Sequence, residues 1–572
     1  MQKIVIDPIT RIEGHLRVEV VVDENNIVKE AYSGSTLWRG IETIVKNRDP
    51  RDVGFMTQRI CGVCTYSHYR AGIEAVENAL KITPPLNAKL VRTLINAALY
   101  LHDHCVHFYQ LHGLDFIDIV SALRADVQKA SKLAYKYTQN PIKCSEEELN
   151  AVKQRVEEFA KKGSLGPFAN AYWGHKTYRF TKEQNLIALS HYLECLRIQR
   201  TVAELMAIFG SKNPHPQTLT VGGITCVIDI LDQKRLDEYE DKFKQVQNFI
   251  HNAYMSDIKM LIEAYKDEPS VINDIGVNNF MCANEFLINE NEYLFEGGII
   301  LDGDLSKVHN INENEITEEA TRAWYKDDEP LHPYDGKTEP NYTGLKEEKT
   351  INNKGEIINT KVFDTSGKYS WIKAPRYNNK PMQVGPIATI LINYAKGNKI
   401  VVDEVDNFIK ETDFSINSMF STLGRTAARM IEAKIVADNA LKALNNLKEN
   451  IKNDEKTCSS YSIDTSKSYK GRFIGNAPRG MLSHWVCIEN GVVKNYQCVV
   501  PSTWNASSKD HIGQMGSYEA CLIGLKINDL TKPLEVVRKI HSYDPCIACA
   551  VHVLDSKGIE LGRYKINTNI TK

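Results

Sequence analysis

Between residues 3 and 34 the chain alternates. Leu16, Val18 and Val20 are separated by Arg17 and Glu19, and Asp23-Glu24-Asn25-Asn26 turns the chain before a second apolar-rich stretch at 27–32. A period of two of this kind predicts strands. From residue 69 the spacing changes to three and four. Helical periodicity runs over 69–82 and 85–112, broken by Pro84 and Pro85, and returns at 182–209, 234–266 and 414–449. Four long amphipathic stretches predict a helical bundle at the centre. Residues 145–163 are helical in pattern but heavily charged, as expected of an exposed helix. Strand patterns resume after 470, at Trp485-Val486-Cys487-Ile488 and across 496–500. The expected class is therefore α+β and predominantly helical, with small sheets at its edges. The N-terminal β region is placed at about 1–50, the helical core at about 69–450 and a second β region at about 470–552. Residues 303–370, rich in Asn, Lys, Glu, Asp and Gly, read as a surface excursion and not as a linker.

Composition narrows the function classes. The chain has 572 residues with a formal charge of −2. Near-balance of acids and bases argues against nucleic-acid binding through bulk electrostatics. No uninterrupted apolar run reaches 18 residues, so no membrane span is expected. The start, Met1 to Pro8, lacks an apolar signal region, which leaves a cytoplasmic protein or one exported with a partner that carries the signal. Of the 13 cysteines, nine are singletons, ordinarily buried free thiols. No C-x2-C-x2-C run is present to hold an iron–sulfur cluster.

The other four cysteines form two C-x-x-C pairs, Cys61/Cys64 and Cys546/Cys549, with His68 and His552 nearby. Two thiols three residues apart can grip one metal, and four thiolates make a soft site suited to zinc, nickel or iron. A zinc ribbon would bring its second pair within about 20 residues. Here the gap is 546 − 64 = 482 positions, so both ends of a large protein must meet. A shared catalytic metal, two separate zinc knuckles, and a disulfide role all remain open on spacing alone. Glu13 and Glu42 could be solvated acids, and the run His102-Asp103-His104 could be a polar helix edge.

Motifs along nearly the whole chain then carry a resemblance. Arg59-Ile60-Cys61-Gly62-Val63-Cys64 with His68, and Asp544-Pro545-Cys546-Ile547-Ala548-Cys549-Ala550-Val551-His552, resemble the paired signatures of nickel–iron hydrogenase large subunits. Arg11-Ile12-Glu13-Gly14-His15, Arg39-Gly40-Ile41-Glu42, Ala477-Pro478-Arg479-Gly480 and the stretch from Val499 to Asn505 match as well. The 102–110 run is similar to membrane-bound, quinone-linked uptake members. Asn476 and Gln383 stand where the family often has glutamate.

The resemblance implies the large-subunit fold and a nickel–iron centre whose iron carries carbon monoxide and cyanide. Cys61 and Cys546 would bind nickel terminally, with Cys64 and Cys549 bridging the two metals. His68 would hydrogen-bond toward a thiolate. Arg479 would sit over the open metal position, fixed with Pro478 by Asp103 and Asp544, and Ser502 would face a cyanide. Hydrogen is split heterolytically, so a base must stand opposite the Lewis acid. Cys546 is the first candidate, Arg479 the weaker one, and Glu13 the relay carboxylate beyond. Glu42, the carbonyl of Cys498 and His552 match a magnesium (or iron) site. Residues 553–572 would be a maturation extension, cut between His552 and Val553 by an endopeptidase after nickel insertion.

With no cluster motif in this chain, the resemblance also implies an iron–sulfur small subunit, then a membrane cytochrome b and quinone, in anaerobic respiration. The complex would lie on the periplasmic side of the cell membrane, co-exported with the small subunit. A hydrogen-sensing relative is the alternative function.

Overall fold

The computed structural model describes residues 2–162, 168, 172–274, 276–326, 328–352 and 354–550. The alternating N-terminal segment forms β1 (Gln2–Ile6), β2 (Arg17–Val22) and β3 (Val28–Gly34), an antiparallel meander with Ile4 opposite Val20 and Val20 opposite Ala31. Val18 and Val20 are fully buried. Five hundred residues later α9 (Leu534–Ser542) packs its Val536, Val537 and Ile540 into the same cluster. This joins the two ends of the chain beside the site.

The bundle is built on α2 (Leu86–Val106), which starts directly after Pro84-Pro85, a pair that suits a helix start and resists the preceding turn. Around it lie α1 (Ser67–Leu80), α4 (Lys182–Gly210), α5 (Gln233–Phe249), α6 (Met255–Tyr265), α7 (Thr422–Asn439) and α8 (Leu441–Asn450), of which α4, α7 and α8 pack directly against α2. The charged stretch is α3 (Glu146–Lys161), opened by a capping box in which Ser145 and Glu148 satisfy each other's backbone N–H groups.

Two expected continuous helices differ. That of 85–112 ends in a π-helical turn over His107–His112, and that of 234–266 is interrupted by another at Ile250–Tyr254. The extra residue per turn stacks His107 and His112, ring centroids 5.3 Å apart, and such turns recur at functional sites. The 414–449 pattern divides at Ala440 into α7 and α8.

Residues 303–370 are not a free excursion. Within them β4 (Lys346–Ile351) and β5 (Ile357–Val362) form a hairpin that extends the N-terminal sheet, giving the order β5-β4-β1-β2-β3 with β4 parallel to β1. The C-terminal β region is an antiparallel sheet of β6 (Tyr469–Ala477), β7 (Gly480–Glu489) and β8 (Val492–Val499), covered by α1. No helix among the described residues is long and apolar enough to cross a membrane.

Candidate metal centre

Cys61 leaves the end of a helical turn in extended conformation, and the N–H groups of Val63 and Cys64 both point at its sulfur, 3.2 Å away. The chain then enters α1. The opposite half of the site is α10 (Ile547–Ala550) and the residues before it. Cys546 is held by Ser502, whose Oγ accepts from the Cys546 N–H at 3.0 Å, and by the main chain of Glu13: Glu13 N donates to Pro545 O at 3.3 Å and Ile547 N to Glu13 O at 2.8 Å. Gly14 completes this contact. Its φ is +80°, and a Cβ there would stand 2.5 Å from Ala548 N, so no side chain fits.

The four sulfurs converge. Separations are 3.3 Å for Cys61–Cys546, 3.3 Å for Cys64–Cys549, 2.9 Å for Cys546–Cys549 and 4.0 Å for Cys64–Cys546, all in the buried core. Sulfurs bound tetrahedrally to one metal at about 2.3 Å would lie about 3.8 Å apart. The cage therefore fits a soft metal group. Its electrostatics need one too. Burial opposes ionisation of Cys61, but hydrogen bonds from Cys546, Cys549 and Cys64 and the Arg479 charge bring its pKa well below the usual thiol value. Burial pushes Cys546 and Cys549 well up. With Cys61 ionised, the other thiols cannot follow without a cation to offset the charge.

Glu13 Oε2 lies 3.2 Å from Cys546 Sγ and accepts from Ala548 N at 2.9 Å. Burial, then the Cys61 charge, raises its pKa to about 7, a value suited to passing protons near neutrality. Arg479 and Pro478 are the two loop residues of the β6–β7 hairpin, because Ala477 pairs with Gly480. Gly480, at φ +119°, would put a Cβ 2.3 Å from Gly385 N. That close approach fixes the loop, and Arg479 reaches Asp103 Oδ2 at 2.8 Å through Nη1 and Asp544 Oδ1 at 3.1 Å through Nε. Although burial opposes it, Asp544, Cys546 and Asp103 hold the guanidinium well above its ordinary pKa. These contacts hold the Arg479 side chain in place beside the cage as a charged group.

His68 is buried and kept neutral, its pKa lowered by burial to about 4. Its Nδ1 lies 3.0 Å from His484 Nε2, and His484 Nδ1 lies 2.6 Å from Tyr496 Oη. The ring of His68 is thus bonded to His484, and none of the described hydrogen bonds joins it to a cage sulfur.

A second pocket, about 20 Å³, lies beside Glu42 and Cys498. Glu42 Oε1 accepts from Cys498 N at 2.9 Å, and its other oxygen meets the Thr338 hydroxyl. Glu318 and Lys373 also line it, residues that the sequence reading left out because they sit in the polar stretch and its margin. Burial chiefly raises Glu318 to about 7, with Lys373 opposing. His552 and Val553 lie outside the described residues.

Another unforeseen feature is Asp115. Arg11 Nη2 donates to Oδ1 at 2.6 Å, while Oδ2 contacts His541 Nδ1 at 2.6 Å and His112 Nδ1 at 3.1 Å. His541 Nε2 reaches Thr10 O at 2.7 Å and His112 Nε2 reaches Thr426 Oγ1 at 3.1 Å. Although these three side chains lie close enough for a metal, every imidazole nitrogen is already engaged. The cluster instead ties the Glu13 segment to the residues leading into Cys546.

The nickel-dependent hydrogenase family model matches residues 39–552, and a HoxL-like model matches residues 3–33. The chain is 59% identical over 566 residues to the quinone-reactive Ni/Fe-hydrogenase large chain of Wolinella succinogenes, covering 99% of this chain and 98% of that one. It is 42% identical over 588 residues to the uptake hydrogenase large subunit of Rhizobium leguminosarum bv. viciae, covering 99% and 97%. Among solved structures, the Ni-Fe-Se hydrogenase of Desulfovibrio vulgaris Hildenborough aligns with a TM-score of 0.76 at 30% identity, over 96% of this chain and 100% of that one. The convergent thiol cage and these full-length matches place the chain in the nickel-dependent hydrogenase family, as a large subunit of an oxidoreductase acting on H2.

Proposed function

We propose that the chain catalyses hydrogen oxidation in an uptake enzyme, its electrons leaving through an iron–sulfur small subunit toward a membrane cytochrome b and quinone. The observation that carries this is the Glu13 carboxyl 3.2 Å from the Cys546 sulfur inside a buried four-thiol cage. Cys61, Cys64, Cys546 and Cys549 would hold the nickel–iron group with its carbon monoxide and cyanide ligands, which supplies the Lewis acidity for heterolysis. Cys546 Sγ takes the proton and Glu13 Oε2 receives it. Arg479, pinned by Asp103 and Asp544, presents a fixed positive charge over the cage and excludes water. Ser502 orients the Cys546 peptide and would face a cyanide.

The cage is the one group of four cysteines among the described residues, so two electrons per hydrogen molecule need an acceptor in a partner chain. The names of the quinone-reactive and uptake relatives support the direction and the acceptor. Glu42, the Cys498 carbonyl and His552 would hold magnesium (or iron), with oxygen donors that suit a hard ion. Periplasmic placement, co-export with the small subunit and cleavage after His552 belong to the same reading.

The test is metal analysis and infrared spectroscopy on the purified mature complex, with hydrogen-dependent dye reduction. Nickel, iron and bands from diatomic ligands are expected. Zinc alone, or metal-loaded enzyme without hydrogen turnover, would refute the proposal.

A further inference from the structure

Where α1 covers the sheet of β6, β7 and β8, three polar side chains meet. On β7 and β8, His484 stands opposite Cys498 and Val486 opposite Tyr496, so His484 and Tyr496 are diagonal neighbours on one face. Tyr496 Oη lies 2.6 Å from His484 Nδ1, and His484 Nε2 lies 3.0 Å from His68 Nδ1 on the helix. The two imidazole rings are tilted by 32°, with centroids 5.2 Å apart. All three side chains are buried.

This row of atoms leaves its protons little choice. A phenol both donates and accepts. Among the described residues, His484 Nδ1 is the one hydrogen-bond partner of Tyr496 Oη. Were the phenol to accept there, its own proton would be buried with nothing to receive it, which is costly. Tyr496 O–H therefore donates to His484 Nδ1. The proton of that imidazole is then on Nε2, and Nε2–H donates to His68 Nδ1. A ring nitrogen that accepts carries no proton, so the proton of His68 is on Nε2. A positively charged His484 would give the same order at His68, because its Nε2 would still donate. Burial keeps His68 neutral, in keeping with one proton on one nitrogen.

The row ends beside the cage. Cys64 precedes His68 by four residues, and Ser67 N donates to Cys64 O at 3.2 Å across the turn between them. The Cys61 charge acts on the His68 ring. Apolar side chains would fill the same space without burying polar atoms, so packing alone does not call for this row.

We propose that Tyr496 and His484 are positioning residues of the metal centre: they hold the His68 proton on Nε2, so that the ring offers the cage an N–H and not a lone pair. The inference rests on the hydrogenase reading above. An N–H facing thiolates draws electron density from them, and a bare nitrogen does not.

Neutron diffraction from deuterium-exchanged crystals of the mature complex tests the order directly. A deuteron on His68 Nε2 and none on Nδ1 is expected, and a deuteron on Nδ1 overturns the proposal. Infrared spectroscopy of variants reads the consequence. Tyr496→Phe removes the donor that orders the row, and His484→Leu removes the bond to His68. Both should move the diatomic-ligand bands to lower wavenumber with nickel and iron content unchanged. His484→Gln, whose amide can accept from Tyr496 and donate to His68, should return the bands toward the parent position. Bands unmoved in both Tyr496→Phe and His484→Leu also overturn the proposal. The neutron measurement needs only the parent complex, so it stands should a variant fold poorly. Zinc alone in the parent would refute the functional reading and leave the proton positions readable, so the two failures are distinguishable.

Discussion

Gly14→Ala is the sharpest probe of how Glu13 is placed, because it touches neither the carboxylate nor a sulfur. The added Cβ would start 2.5 Å from Ala548 N, 3.0 Å from the Ile547 carbonyl carbon and 3.1 Å from Ile547 Cβ. Ordinary contact needs about 3.4 Å or more, so the two strands must part by roughly 0.9 Å. Alanine also pays for φ +80° with about 1–2 kcal/mol. Neither cost unfolds a chain of this size, but both fall on the ladder joining Glu13 to Pro545 and Ile547. The Glu13–Cys546 contact would open from 3.2 Å to about 4 Å. Displacements near 1 Å cost on the order of 100-fold in rate when proton donor and acceptor must meet.

The expected result is a 10- to 100-fold fall in hydrogen oxidation with nickel content and diatomic infrared bands retained. Glu13→Gln, which keeps the fold and removes the acceptor, should be at least as severe. Hydrogen-dependent dye reduction beside metal analysis reads both effects. Full activity in Gly14→Ala would show that Glu13 does not work through this contact. Loss of nickel would instead assign the glycine to assembly of the cage.

Two further predictions concern stability. Glu519 is completely buried, accepts from Ser33 N at 3.0 Å and Tyr369 Oη at 2.8 Å, and is raised to about 7 chiefly by burial. A raised carboxyl pKa means the folded state holds the proton more tightly. The contribution is therefore fully present below about 4.5 and lost as pH rises to about 7, roughly 3 kcal/mol in all. Glu519→Gln should flatten that loss, so thermal unfolding of the mature complex at pH 5 and pH 8 should differ less than in the parent; an unchanged difference refutes the assignment. Asp115→Asn leaves Arg11 and His541 without their carboxylate and should destabilise by about 3–5 kcal/mol. Because it also loosens the Glu13 segment, it should slow hydrogen oxidation at temperatures where the variant is fully folded, and normal turnover there would reduce Asp115 to a scaffold residue.

The cage was legible in the sequence because C-x-x-C is a local pattern, while its partner lay at a distance that only motif resemblance could bridge. Glu13, Arg479, Asp103 and Asp544 came from the same motifs, and the structure brings all four to the cage. What escaped has a common physical cause: each depends on contacts with no sequence period. β4 was hidden since four of its six residues are exposed at the edge of a sheet. Asp115 lies just beyond a π-helical turn whose extra residue breaks the helical spacing. Glu318 and Lys373 are single polar residues among many, and only the fold carries them to Glu42.

The two halves of the cage are held by different means. The Cys61–Cys64 turn is closed by its own N–H groups and by the start of α1, so its loop entropy is small. Bringing Cys546 to Cys61 closes 485 positions, for which chain entropy alone asks about 5–6 kcal/mol before constants. Unpaired thiols that repel one another on ionisation cannot supply it. It comes from apolar burial in the main core, which includes all four cysteines, and from the main-chain ladder of Glu13 with Pro545 and Ile547. The scaffold therefore precedes the cage. Glu13 and Cys546 are set by one stretch of backbone pairing, and any shift that moves Cys546 also moves the peptide to which Glu13 is bonded.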